Sequence, residues 1–200
     1  MRRTKPALKI VVTLISMIFC FAYATTAAAE SIKGRIKKID NTYLLVTKNQ
    51  IAYTLDFSNE VSEQQIKRLN SGDFASVTAD FSSITPSLVY VTSVDYVGLN
   101  LLTGTWLSDS GLCYEFATFT RMYVYSPDDY GHCIRTSDPE DYGKYTYFIN
   151  PDVDAWNMLI SSNNSEYVGN LQIITNDDIE IELFDARTDA TLGTIVLRRE

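Results

Sequence analysis

The stretch Leu101-Leu102-Thr103-Gly104-Thr105-Trp106 divides a chain of 200 residues into two β-rich parts of different charge. Ahead of it, residues 30–100 hold seven bases and eight acids, a net of −1. Behind it, residues 101–200 hold six bases and seventeen acids, a net of −11. So sharp a change in charge puts a domain boundary near residues 98–102, with one domain over 30–100 and an acidic one over 101–200. The stretch closes the first module and opens the first strand of the second.

Working back from it, residues 31–39 alternate with period two. Ile32, Gly34 and Ile36 take one face, while Lys33, Arg35 and Lys37 take the other. Residues 42–47 (TYLLVT) and 51–57 (IAYTLDF) read as strands joined by a turn at Lys48-Asn49-Gln50. The period then changes. Ser62 offers a cap, Glu63 an early acid and Lys67 and Arg68 late bases, which predicts a short helix over 62–69. Val61 is placed to staple it to Ile66 or Gln65, and Asn70-Ser71-Gly72-Asp73 stops it. Residues 74–81 and 88–97 are two more strands, broken by 82–87 with Pro86.

The order β-β-β-α-β-β resembles the OB-fold, a five-stranded, partly open barrel, and residues 69–77 resemble its turn from helix to fourth strand. That fold hosts oligonucleotide, oligosaccharide and protein partners alike, so the resemblance implies no particular ligand. The Lys33/Arg35/Lys37 row is a candidate basic face for an anionic polymer. With a module net of −1 there is no broad positive field; a solvated strand face is the simpler reading, and nucleic acid is not an expected partner.

Forward of the stretch, residues 102–107, 113–119, 121–125, 142–149, 156–161, 167–175, 179–184 and 191–198 form a run of short strands. Turn chemistry separates them: Ser108-Asp109-Ser110-Gly111, Ser126-Pro127-Asp128-Asp129-Tyr130-Gly131, and a hairpin at Asn176-Asp177-Asp178. The prediction is an all-β protein, an OB-like barrel followed by an antiparallel up-and-down barrel or meander. Gly104-Thr105-Trp106 is similar to the opening of lipocalin and avidin-like barrels. That resemblance implies that Trp106 packs across a closed barrel end. It carries over no ligand residues, because Leu107-Ser108-Asp109 stand where avidin-like proteins begin their polar contacts.

Residues 1–29 have the parts of a secretory signal. Arg2, Arg3, Lys5 and Lys9 precede an apolar run over 10–24, and Ala27-Ala28-Ala29 offers a cleavage site. At 15 residues the run is short for a membrane span, and Cys20 reads as apolar filler rather than a lipid site. Cleavage would leave 171 residues with net charge −12, periplasmic or secreted and with no membrane insertion. In an oxidising compartment Cys113 and Cys133 are expected to pair, contributing roughly 3 kcal/mol.

Aromatic residues crowd the acidic half. Trp106, Tyr114, Tyr123, Tyr145, Tyr147 and Trp156 are the candidate ligand or interface residues, among further rings at Phe116, Phe119, Tyr125, Phe148 and Tyr167. Strand alternation sends about half of such rings outward, so core and sheet-surface roles compete with a pocket.

Catalytic signatures are missing. His132 is the one histidine, it sits beside Cys133, and no Gly-x-Ser-x-Gly elbow occurs. One histidine and two paired cysteines do not make a zinc site, and no phosphate loop or dinucleotide fingerprint is present. No cofactor and no metal are expected. Asp128/Asp129, Asp138/Glu140/Asp141, Asp152/Asp154 and Asp177/Asp178 raise a calcium question but do not fit an EF-hand. The expectation is a non-catalytic exported binding or accessory protein. Its acidic domain would meet a protein partner, such as a cationic enzyme it inhibits. The alternatives are a carrier of a small apolar or sugar ligand in the second barrel and a subunit of an envelope or secretion assembly.

Overall fold

The structure, a computed structural model, describes residues 29–152 and 155–200. The signal reading, Cys20 included, rests on residues 1–29, of which all but Ala29 lie outside the described residues, as does Asp154 of the Asp152/Asp154 pair. Among the described residues no helix is long and apolar enough to cross a membrane.

The strands β1 (Glu30–Ile39), β2 (Thr42–Val46), β3 (Ala52–Phe57), β4 (Phe74–Phe81) and β5 (Leu88–Gly98) close into a barrel in the order β1-β2-β3-β5-β4. Neighbours are antiparallel except β3 and β5, which run parallel. The long first strand serves both sides of the closure, with residues 35–39 on β2 and 30–35 on β4. Gly34 sits where β1 crosses from one partner to the other. A Cβ there would lie 2.4 Å from the Val46 carbonyl oxygen and 2.7 Å from Leu45 Cδ2, so only glycine allows this approach.

Helix α1 (Glu63–Arg68) forms between β3 and β4 for the reasons legible in its sequence. The Ser62 hydroxyl accepts from the Gln65 amide, and the Gln65 side chain accepts from the Ser62 amide, completing a capping box. Val61 and Leu69 on either side are buried, and the Tyr43 hydroxyl donates to the Ile66 carbonyl, fixing the helix to the barrel.

In the second half, β6 (Gly104–Ser108), β7 (Cys113–Thr118), β8 (Arg121–Tyr125), β9 (Tyr142–Pro151), β10 (Trp156–Ser161), β11 (Glu166–Ile173), β12 (Asp178–Asp185) and β13 (Thr191–Arg199) each pair antiparallel with the next. The last returns to the first through Leu197↔Ser108, Arg198↔Leu107 and Arg199↔Trp106, closing an eight-stranded meander. Closure removes the sheet edges that a meander would otherwise expose.

The two sheets part between Gly98 and Gly104, yet their buried residues form one continuous apolar cluster. Phe119, read as strand in the sequence, instead occupies the β7–β8 turn and reaches onto the first barrel. Its ring stacks on Phe74 at 5.8 Å, and it packs so closely on Gly98 that a Cβ there would fall 2.6 Å from it. The Tyr96 hydroxyl donates to the Phe119 carbonyl, and burial pushes that phenol up to about 12. On the far side of the junction Arg68 donates to the Asp152 carbonyl at 2.8 Å and covers Trp156 at 5.6 Å.

Candidate functional site: the interior of the eight-stranded barrel

Alternation along each strand fills the barrel unevenly. Near the junction with the five-stranded barrel the interior is solid, with Trp106, Ile149, Trp156, Leu171, Ile179 and Leu197 all buried. Trp106 is 0% exposed. Its indole N–H donates to the Leu102 carbonyl at 2.8 Å, and the Arg199 guanidinium lies 4.2 Å over its ring. Arg199 also donates to the carbonyls of Thr103 and Leu101. The last strand therefore clamps the stretch between the two sheets and β6 together over the closed end. This is the packing the Gly-x-Trp resemblance implies for Trp106. Arg199 had no signal of its own in the sequence beyond a late base on the final strand.

The other end is open. A cavity of about 250 Å³ is walled by Met122, Val124, Ile160, Ile181, Leu183 and Ile195, with Tyr114, Tyr145 and Tyr167 completing the ring. Every one of the eight strands except β6 contributes to this wall. On the β11 row Tyr167, Gly169, Leu171, the middle position faces Met158 and Leu183, and the wall residues Ile181 and Leu183 pack down onto it: a Cβ at Gly169 would fall 3.0 Å from Ile181 Cγ2 and 3.3 Å from Leu183 Cδ2. Burial first, then the neighbouring Tyr145 and Asp109, pushes the Tyr114 phenol upward. It therefore stands as a neutral hydroxyl in an apolar wall. Such a space takes a small, mainly apolar molecule with a polar atom for the tyrosines; an apolar cavity of roughly 150 Å³ already holds benzene in a well-studied case.

The six aromatic candidates separate into three places. Tyr114 and Tyr145 line the cavity. Trp106 and Trp156 are buried at the closed end, and Tyr147 is buried with its hydroxyl donating to the Thr118 carbonyl at 2.7 Å. Tyr123 points out of the barrel, into a separate small cluster with Cys113 and Tyr125. Sequence reasoning passed over Tyr167 as one ring among many and did not name the aliphatic wall; the inward period of β12 and β13 was the available signal.

The cluster around Tyr123 belongs to the disulfide. Cys113 and Cys133 are bonded, and the bond ties the long β8–β9 connection against the outside of the barrel. Arg135 on that connection lies 3.7 Å over the Tyr123 ring and reaches Glu115 at 3.4 Å. Burial acts to raise the Tyr123 phenol, but the Arg121 and Arg135 guanidiniums outweigh it and hold the group below its usual range. His132 is exposed on the same connection, 4.0 Å from the Glu200 carboxylate.

The loop acids hold turns. The Asp128 carboxylate accepts from the amides of Tyr130 and His132, Asp138 from Glu140, Asp141 from the Thr136 hydroxyl and Asp178 from Thr175. Among the described residues no group of three or more His, Cys, Asp or Glu side chains is gathered as a metal would need.

Lys33, Arg35 and Lys37 are exposed in a row on β1, apart from the cavity just described, and line a groove on the five-stranded barrel that Phe119 of the β7–β8 turn borders. No protein-family model, no curated protein and no solved structure matches the chain.

Proposed function

We propose that the protein is an exported, non-catalytic binding protein whose eight-stranded barrel carries a small apolar ligand. The observation that carries this reading is the half-open cavity of about 250 Å³, apolar but for three tyrosines, inside a barrel that is solid at its other end. Buried side chains pack one end of the barrel, and the cavity lies toward the other. Export rests on the signal-like residues 1–29 and accords with the paired cysteines.

A second reading, docking to another protein, has its own observation. Phe148, Leu159, Val168 and Phe184 are direct cross-strand neighbours on the outer face of β9 to β12. Leu159 is 46% and Val168 37% exposed, an apolar row of the kind interfaces use.

Native mass spectrometry of the protein, purified gently from its own host, tests the two together. The carrier reading expects a small extra mass that disappears on denaturation and on substitution Leu183→Trp, which fills the cavity mouth. A bare chain, or a small mass retained undiminished by the folded Leu183→Trp variant, counts against it. A co-purifying protein lost on Leu159→Asp instead favours docking.

A further inference from the structure

A second site lies on the first barrel, where the crossing of β1 at Gly34 opens a groove of about 930 Å³. Four bases line it: Lys33, Arg35 and Lys37 from β1, and Lys48 from the β2–β3 turn. Continuing the β1–β2 register past Arg35↔Val46 brings Lys48 opposite Lys33, so the fourth base extends the row sideways into a patch. No acid is among the lining residues, in a chain that carries 25 acids and a net charge of −8. The nearest buried acid, Asp73, is turned away, with both carboxylate oxygens accepting backbone amides of Asn70 and Asn100. Such segregation of charge concentrates a positive potential in one concave place.

We infer that this groove binds a short oligosaccharide bearing sulfate or phosphate groups. On a strand, alternate residues lie about 7 Å apart on one face, so Lys33, Arg35 and Lys37 present a line of cations at that repeat. Thr47, Gln50 and Ser71 add hydroxyl and amide groups suited to sugar hydroxyls along the same groove. Single-stranded nucleic acid fits less well, because such sites stack bases on free aromatic faces. The groove's rings are Phe74 and Phe119, and both sides of Phe119 are engaged. Phe74 stacks on it, and the Arg35 guanidinium lies 5.0 Å over the ring. Length is limited as well. The second domain's net of −11 repels a long polyanion beyond the groove, within a screening distance of roughly 8 Å at physiological salt.

Isothermal titration of the full chain in low salt tests this with four probes: a heparin-derived tetrasaccharide, a phosphorylated mannopentaose, neutral maltotetraose and an eight-residue oligothymidylate. Binding of one or both charged saccharides, none of maltotetraose and weaker binding of the oligothymidylate is the expected result; which charged probe binds tells sulfate from phosphate. Lys33→Gln/Lys48→Gln should raise Kd about tenfold or more, since two charge-assisted bonds to the ligand are lost. Both side chains are exposed, so its thermal melt should match the parent. The charge-matched Lys67→Gln/Arg187→Gln variant should bind like the parent. No binding of either charged saccharide, oligothymidylate binding as tight as theirs, or equal losses in the two double variants would overturn the inference.

Discussion

Trp106→Ala is expected to lower the unfolding free energy by about 4 kcal/mol, the cost of removing a fully buried tryptophan from a core that cannot collapse onto the gap. The site is rigid on all sides. Trp106 is wholly buried, its indole N–H holds the Leu102 carbonyl, and Arg199 from the closing strand covers its ring. Truncation leaves that buried carbonyl unpaired and takes the packing surface from the guanidinium, adding to the cavity term. Urea unfolding followed by far-ultraviolet circular dichroism reads the effect as a lower midpoint at unchanged slope. Trp106→Phe, which keeps the ring volume in part but not the hydrogen bond, should fall between. A loss under about 1 kcal/mol for the alanine variant would mean that the barrel's closed end is not the packed plug described above.

Removing the disulfide comes next in size. Cys113 and Cys133 are 20 residues apart in sequence, and a loop of that length is worth roughly 3 kcal/mol when cross-linked. Because one continuous core joins both barrels, the size that applies is that of the two together, and the loss amounts to about 6–12 °C in Tm. Cys133→Ser should show this drop while leaving the interior intact, because the bond pins the β8–β9 connection to the outside of the barrel, away from the cavity-lining residues. A reducing agent should lower the parent's Tm by a similar amount and leave that of Cys133→Ser unchanged. Equal sensitivity of both proteins to the reductant would contradict the assignment.

Much of the fold could be read from local chemistry because local chemistry decides it. Alternation in 31–39, the Ser62 cap with Gln65 three residues on, and the Asn176-Asp177-Asp178 hairpin each express a preference satisfied within a few residues. What local patterns do not carry is which strands meet across the chain. The parallel pairing of β3 with β5 and the closure of β13 on β6 depend on contacts far apart in sequence. Phe119 shows the same limit at one residue. Its neighbours read as a strand, but the space left by Gly98 and the face of Phe74 draw it into a turn that joins the barrels.

The candidate site was legible only in part for a related reason. Tyr114 and Tyr145 stood out as large polar aromatics, and both line the cavity. Tyr123 stood out equally but has the opposite strand parity, so it faces the disulfide-tethered connection. Parity is fixed by where each strand begins its pairing, and a single aromatic residue does not reveal it. The basic row on β1 was visible as a row; its groove was not, because the groove arises from the strand crossing at Gly34 and from Phe119 in the other barrel.

Ligand entry into the eight-stranded barrel is the central claim, and methyl-resolved magnetic resonance tests it most directly. Carbon-labelled methyl groups of isoleucine, leucine and valine would be followed while indole, a small aromatic probe with one polar hydrogen, is titrated into the protein. Saturable shifts at Val124, Ile160, Ile181, Leu183 and Ile195, with Leu159 and Leu192 on the exposed surface unmoved, are the predicted result. Shifts confined to the exposed methyls, or none at all at millimolar indole, would contradict it.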